Sequence, residues 1–244
     1  MHTYRNARIL ALLVTTAFSG LILLSVVASI STWFECSMLQ RAIDGAEITE
    51  SEALSSDLRQ GLIGLCQMGL YIATVVLFCI WLNRANKNAR ALGAQDMQFT
   101  PGWSVGYFFI PIVNVYRPYQ AVTEVLRASD PDARPFSEKP WQRSAAAITG
   151  WWWAAWLASN ALGQIAFRLS MRAETLEEML ASSYAMLVSD IVDAPSAALA
   201  MAVVCTIQSR QTRRAARMSE SLTPAVPQGV LSPPIEKQWP GLQR

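Results

Sequence analysis

Four long apolar stretches, each free of lysine and arginine, divide this chain into alternating apolar and charged blocks. They cover residues 9–33, 61–82, 144–167 and 184–207. A helix needs about 20 residues to cross the hydrocarbon core of a bilayer, so each stretch is long enough to be a span. Open sheets are excluded, because unpaired backbone groups are too costly in lipid. The pattern predicts an all-α, polytopic membrane helix bundle with four transmembrane helices.

The distribution of basic residues predicts the orientation of this bundle. Of the 20 lysines and arginines, sixteen lie before the first stretch, between the second and third, or after the fourth, and four lie in the other two connections. Basic residues near span ends stay in the cytoplasm. We therefore expect the N-terminus, the C-terminus and residues 84–143 to be cytoplasmic, and residues 34–60 and 168–183 to face outward.

The composition divides the chain into two parts. Residues 1–218 are predicted to form one integral membrane helical domain, whose second span continues as a polar helix that stops at Gly93. Residues 219–244 contain five prolines and little apolar pattern. That composition predicts a disordered, Pro-rich cytoplasmic tail.

A short aromatic segment, residues 99–119, lies between the second and third spans. Its apolar core is about 14 residues long, which is too short for a span, and it contains Pro111 and Asn114. We predict two short helices broken near Pro111, on the cytoplasmic side of the membrane. Whether the segment is re-entrant or lies at the interface stays open. Residues 120–128 are predicted to follow as an amphipathic helix on the membrane surface.

A cluster of polar and aromatic residues is predicted around this segment. Trp81, Arg84 and Asn88 share one helix face by their spacing. They are either a belt tryptophan with a snorkelling arginine or a clamp on the segment or on an anionic headgroup. We predict that Arg84 and Asn88 bind the backbone or the Asn114 region of the segment, with two tryptophans of the third span packed behind. The full candidate cluster is Trp81, Arg84, Asn88, Pro111, Asn114, Arg117, Trp152, Trp156 and Asn160.

Asp190 and Asp193 are the acids that fall inside a predicted span. They are three residues apart, so they share a helix face. Charged groups at membrane depth are candidates for function. The alternative is that both lie at the headgroup boundary, where no function is needed to explain them.

The sequence offers no catalytic, cofactor-binding or metal-binding constellation. The chain has one histidine, and its four cysteines form no C-x-x-C pair, which argues against a zinc site. We expect a non-enzymatic integral membrane protein that acts as a scaffold or regulatory partner, without a cofactor. The alternative is a small transporter or channel component that uses the intramembrane acids and the broken segment. A wet cavity that reaches Asp190 or Asn114 would favour transport, and a dry bundle would favour the scaffold.

Three stretches carry a family resemblance. They are Trp81-x-x-Arg84-Ala85-x-x-Asn88 with Leu92-Gly93, the run from Pro101 to Gln120, and Trp151-Trp152-Trp153-Ala154-x-Trp156. In this order they resemble a bacterial membrane family known as domain of unknown function 4328, over roughly Leu77 to the end of the fourth span. The resemblance implies a multi-pass protein of the bacterial inner membrane and no established activity. The expected partners are the lipid bilayer and an unidentified protein or second copy, with no nucleic acid.

Overall fold

The computed structural model describes residues 3–133 and 146–222. Every regular element in these two ranges is helical, which confirms the predicted all-α class. Two short 3-10 turns, Tyr107–Phe109 and Val113–Val115, lie between the third and fourth helices. The six α-helices are α1 Arg8–Ile43, α2 Glu50–Ala91, α3 Trp103–Gly106, α4 Arg117–Ala128, α5 Ala147–Ser170 and α6 Leu176–Leu222.

Three of these helices are long and apolar enough to cross a membrane. They are α1, α2 and the part of α6 over Leu176–Glu220, with mean hydropathies of 2.4, 2.1 and 1.6 in their most apolar windows. Their composition is that of a membrane protein. Hydropathy alone thus supports the predicted spans 9–33, 61–82 and 184–207. Helix α5 is long enough at about 36 Å, but its tryptophans and amides lower its hydropathy.

The ends of α2 follow from its sequence. The Thr49 hydroxyl accepts a hydrogen bond from the Glu52 N–H at 3.3 Å and caps the start of the helix, as threonine commonly does. At the other end Gly93 has φ 85°, a conformation that glycine adopts without strain. The polar extension of the second span and its stop at Gly93 are therefore confirmed.

The four long helices form an open arc. Helices α1 and α6 pack along each other, α2 packs on the free side of α1, and α5 packs on the free side of α6. At Gly20 of α1 an added Cβ would lie 2.9 Å from the Leu70 side chain of α2, so a small residue allows this close approach. Because α2 and α5 are the two ends of the arc, they face each other across a cleft.

The buried core lies at one end of the bundle, which we call the cap. The cap consists of α3, α4 and the turns between them, together with the last turns of α2 and α6 and the residues before α1. Towards the opposite end, large apolar side chains such as Leu62, Leu65 and Ile191 are exposed, as lipid contact requires. The core includes Val14, Trp81, Leu82, Val122, Val125, Leu126, Val203, Val204 and Ile207.

Helix α4 departs from its predicted placement. The predicted helix over residues 120–128 is present, but its predicted place on the membrane surface is wrong, because protein covers most of α4. Its polar side finds partners inside the cap. Thr123 donates to the Thr149 hydroxyl of α5 at 3.2 Å, and Glu124 accepts from two backbone N–H groups. The one exposed residue of α4 is Gln120, so the helix presents no apolar face to lipid.

Helix α6 is a single element of 47 residues, about 70 Å long. It continues through Pro195, which has no N–H to donate to the Ile191 carbonyl one turn earlier. It ends at Leu222, beyond the predicted domain boundary at residue 218, so the first residues of the predicted tail are helical. The rest of that tail, 223–244, and the connection 134–145 lie outside the described residues.

Candidate functional site

The aromatic segment reverses direction at Pro111–Ile112–Val113. The Val113 N–H donates to the Pro111 carbonyl at 2.8 Å, and Ile112 has φ 68° and ψ −50°. This geometry is that of a γ-turn with a positive φ, a rare and strained turn, and β-branched residues seldom adopt it. The break predicted near Pro111 therefore lies at this turn.

Three polar residues of α2 hold the start of the segment, and we call them the clamp. Asn83 donates to the Pro101 carbonyl at 2.8 Å, and Asn86, which is fully buried, donates to the Phe99 carbonyl at 3.0 Å. Arg90 donates to the same Phe99 carbonyl at 2.9 Å and to the Asn86 side-chain oxygen at 3.1 Å. The clamp thus ties α2 to the backbone where the segment begins.

Glu124 of α4 completes this attachment from the other side. Its two carboxylate oxygens accept from the backbone N–H groups of Gln98 at 2.6 Å and Phe99 at 3.0 Å. Burial raises the pKa of the Glu124 carboxyl, while the two N–H donors and the Arg90 charge act in the opposite direction. Both backbone groups of Phe99 are therefore paired inside the cap.

The predicted contacts of Arg84 and Asn88 with the segment are wrong. Asn88 accepts from the Arg5 N–H at 3.1 Å and donates to the Arg5 carbonyl at 2.9 Å, so it holds the chain before α1. No hydrogen bond joins Arg84 to residues 97–116. The residues that do bind the segment have the same i, i+3, i+7 spacing, but their stripe is two positions along, about 200° around the helix.

The tryptophan-rich part of α5 supports the segment through Trp153, which was not among the predicted site residues. Trp153 donates from Nε1 to the Val115 carbonyl at 2.7 Å and lies edge-on to Phe108, with ring centroids 6.3 Å apart. Trp156 stacks on Trp153 at 4.6 Å. Trp152 contacts the Phe78 ring of α2. The predicted cluster included the supporting rings of Trp152 and Trp156 and missed Trp153, the hydrogen-bond donor.

Arg117 contacts aromatic rings of the segment to which it belongs. Its guanidinium carbon lies 5.9 Å from the centre of the Phe99 ring, 5.9 Å from that of Tyr107 and 5.5 Å from that of Tyr116. These are distances at which a cation is attracted to an aromatic face. Arg117 also donates to the Gln120 side chain at 3.2 Å. It therefore stabilises the segment locally.

The cleft between α2 and α5 has a volume of about 1000 Å³. Aromatic side chains form its floor next to the cap: Phe18, Phe78, Phe108, Phe109, Trp152 and Trp156. Polar and charged side chains line its walls further from the cap. They include Gln67, Ser159, Asn160, Gln164, Arg168, Ser189, Asp190 and Asp193.

Both predicted intramembrane acids lie in this cleft. Asp190 accepts a hydrogen bond from Gln67 of α2 at 3.3 Å, and Asp193 accepts one from the Ser159 hydroxyl of α5. The structure thus brings the two acids together with Trp152, Trp156 and Asn160 of the other predicted cluster. Gln67 was not predicted, because nothing local in the sequence connects it with a residue on α6. Within residues 3–133 and 146–222, no group of three His, Cys, Asp or Glu side chains could hold a metal ion.

The comparisons with known proteins place the chain in a family. The family model described as a domain of unknown function (DUF4328) matches residues 44–209. The chain belongs to this family. No curated protein and no solved structure matches it. The match begins at Asp44 rather than near Leu77, so the DUF4328 region takes in the whole of α2, including Gln67.

The DUF4328 region contains most of the site. The clamp, the aromatic segment, Trp153 and the two cleft acids all fall within residues 44–209. Helix α1 ends before that match begins, yet Phe18, Leu21 and Ser25 of α1 line the cleft. In this chain the DUF4328 region is therefore completed by a helix that the family model does not include.

Proposed function

We propose that this DUF4328 protein is a non-enzymatic, multi-pass protein of the bacterial inner membrane that binds a small molecule in the cleft between α2 and α5. The observation that carries the proposal is a cleft that reaches Asp190 and Asp193 among apolar helices. Its volume is at the upper end of the range for small-molecule sites. Small-molecule binding at charged groups within a bundle is what a transporter or channel component needs. A closed bundle would have favoured a scaffold.

The proposed topology has four spans, with α5 as the third. Two observations support α5 in this role. It packs along α6 and is joined to it by the short connection Met171–Thr175. Helix α5 therefore crosses the same membrane layer as α6, in the opposite direction. Its polar and tryptophan side chains, Trp152, Trp156, Asn160 and Gln164, line the cleft. These side chains lower the hydropathy of α5, but they face the protein-lined cleft.

The aromatic segment is proposed to be re-entrant. Phe108 packs against Phe78 of α2 with ring centroids 5.9 Å apart, and Phe78 lies about 6 Å inside the predicted end of the second span at residue 82. Phe109 and Ile112 are 66% and 83% exposed. Large apolar groups exposed at that depth suit contact with lipid. The clamp holds the backbone where the segment begins, and Trp153 holds the Val115 carbonyl after the break.

Cysteine labelling tests the proposed orientation. In a variant without native cysteines, single cysteines are placed at Ala46, Gln95 and Thr175, all of which are exposed. The excess of basic residues at the cap end predicts that this end is cytoplasmic. A membrane-impermeant maleimide added to intact spheroplasts should therefore label positions 46 and 175 but not 95. Labelling of position 95 from outside would overturn the orientation.

The same method tests the segment. Cysteines at the exposed positions Thr100 and Gln120 should both react only after the membrane is opened. Reaction of these two positions from opposite sides would make the segment a fifth span. Ala121, which is fully buried, is not suitable for this labelling.

A cleft-filling substitution tests the proposed binding function. Ala197 lines the cleft, so Ala197→Phe places a ring in the binding volume. Ala154→Phe is the matched control, because Ala154 is exposed on α5 and does not line the cleft. The neutral fluorescent probe N-phenyl-1-naphthylamine accepts energy from tryptophan, and two tryptophans lie in the cleft floor. We expect saturable energy transfer in the wild type and the control, and a loss of at least about tenfold in affinity in Ala197→Phe.

Two outcomes would contradict the binding function. One is energy transfer that rises in proportion to probe concentration without saturation, as simple partition into detergent would give. The other is equal affinity in Ala197→Phe and Ala154→Phe, which would place the probe elsewhere. Either result would leave the scaffold as the better interpretation of this bundle.

A further inference from the structure

The charge of the cleft points to the class of ligand that it takes. Resting on the proposed binding function, we propose that the ligand is a lipophilic organic cation, such as a substituted ammonium or phosphonium ion. Its charge lies beside Asp190 and Asp193, and its apolar body lies against the aromatic floor. Three observations support this class over others.

The first observation is that the two carboxylates have neutral partners. Asp190 is paired with the amide of Gln67, and Asp193 with the hydroxyl of Ser159. The other charged residue of the lining is Arg168, in the last turn of α5. No salt bridge joins Arg168 to either carboxylate, although the structure describes all three residues. Charges in a bundle are normally paired with one another, and here a cationic ligand would supply the missing partner.

The second observation is the position of the one lining cation. Arg168 is eight residues beyond Asn160 on α5, about 12 Å further from the cap, and its side chain is exposed. The part of the cleft between the acids and the floor therefore has negative charge and no lining cation. An anionic ligand would meet two carboxylates there, and a neutral ligand would leave them unpaired.

The third observation is the aromatic floor. Phe78, Phe108, Trp152 and Trp156 line the cleft next to the cap, and aromatic faces attract cations, most strongly when water is excluded. A bare metal ion does not fit this lining, since calcium takes six to eight oxygen ligands and the cleft is far larger than one ion. An organic cation with an apolar body uses both the carboxylates and the rings.

A pair of probes with the same shape and opposite charge tests the inference. Tetraphenylphosphonium and tetraphenylborate are compared by equilibrium dialysis against the full chain in a neutral detergent, with detergent alone as the blank. The expected result is that the protein binds the phosphonium at least about tenfold more tightly than the borate. This comparison uses the wild-type protein, so it does not depend on the folding of any variant.

Variants then connect that preference with the two acids. Asp190→Asn with Asp193→Asn removes both charges and keeps the side-chain size. We expect it to bind the phosphonium at least about tenfold more weakly and to keep its affinity for the neutral N-phenyl-1-naphthylamine. Glu177→Gln with Glu220→Gln is the control, because both glutamates are exposed on α6 outside the cleft. This control removes the same charge and should leave both affinities unchanged.

The outcomes separate this inference from the proposed function. Equal affinity for the two charged probes would overturn the cationic ligand, and so would a control that loses as much phosphonium binding as the aspartate variant. Saturable binding of the neutral probe would in that case keep the binding function. If neither the neutral probe nor the phosphonium binds saturably, both proposals are rejected.

Discussion

Replacing Arg90 by alanine should lower the midpoint of thermal unfolding in detergent by roughly 5–10 °C. Arg90 donates to the Phe99 carbonyl and to the Asn86 side chain, and Asn86 is fully buried. Hydrogen bonds from a charged donor contribute about 1.5–3 kcal/mol, and a buried acceptor left without its donor adds a further cost. The loss also weakens the attachment of the aromatic segment to α2.

Arg84→Ala is the matched control for this experiment. Arg84 is the same residue type on the same helix, and no hydrogen bond joins it to the segment. We expect its replacement to shift the midpoint by less than about 2 °C, as measured by intrinsic tryptophan fluorescence on heating. Arg90→Lys should resemble Arg90→Ala, because lysine lacks the planar fork that reaches two acceptors. An equal effect of Arg84→Ala and Arg90→Ala would show that the clamp does not stabilise the protein through Arg90.

Replacing Gln211 by alanine should lower the free energy of unfolding by about 2–4 kcal/mol. Gln211 is 1% exposed. Its amide nitrogen donates to the Ala85 carbonyl of α2 at 2.8 Å and to the Ser129 hydroxyl at 3.0 Å, and its oxygen accepts from Asn88 at 3.4 Å. Alanine removes a side chain that joins three parts of the cap and leaves a cavity behind.

Gln208 of the same helix provides the comparison. Its amide nitrogen donates to Thr212 one turn later on α6, and among the described residues its oxygen is buried without a hydrogen-bond partner. Gln208→Ala should therefore change stability by less than about 1 kcal/mol. Denaturant titration followed by tryptophan fluorescence measures both variants. A larger loss for Gln208→Ala than for Gln211→Ala would show that the cap is not held through Gln211.

The sequence predicted the helices well, because their causes are local. Apolar length and a glycine at a positive φ depend on a few neighbouring residues. The stop of α2 at Gly93 and the break at Pro111 are of this kind. The placement of α4 was harder to predict from the sequence, because its hydrogen-bond partners come from residues 98 and 99 and from α5.

The clamp residues could not be identified from the sequence alone. Asn83, Asn86 and Arg90 have the same helical spacing as Trp81, Arg84 and Asn88, and both stripes contain an arginine and an asparagine. Which stripe meets the segment depends on where the chain before α1 lies, because Arg5 occupies the Asn88 side. That position is set by tertiary packing. Periodicity finds the faces of a helix and cannot name the neighbour of each one.

The sequence identified the two acids of the cleft but not their hydrogen-bond partners. Two acids inside an apolar span are conspicuous, and Asp190 and Asp193 were identified on that basis. Their partners, Gln67 and Ser159, are 123 and 34 residues away along the chain. The cleft itself exists because α2 and α5 pack on opposite sides of the central pair, an arrangement that no local pattern encodes.

The unbroken length of α6 makes it a lever arm. The same helix carries the cleft acids about a third of the way along its length and, beyond Pro195, the cap contacts of Gln211 and Arg214. Arg214 donates to the Ala128 carbonyl at 2.6 Å. Eighteen residues, about 27 Å, separate Asp193 from Gln211. A tilt of about 5° around the cleft would displace the cap end by roughly 2 Å over that length. Because Arg214 binds the Ala128 carbonyl, any tilt of α6 about the cleft would also shift α4.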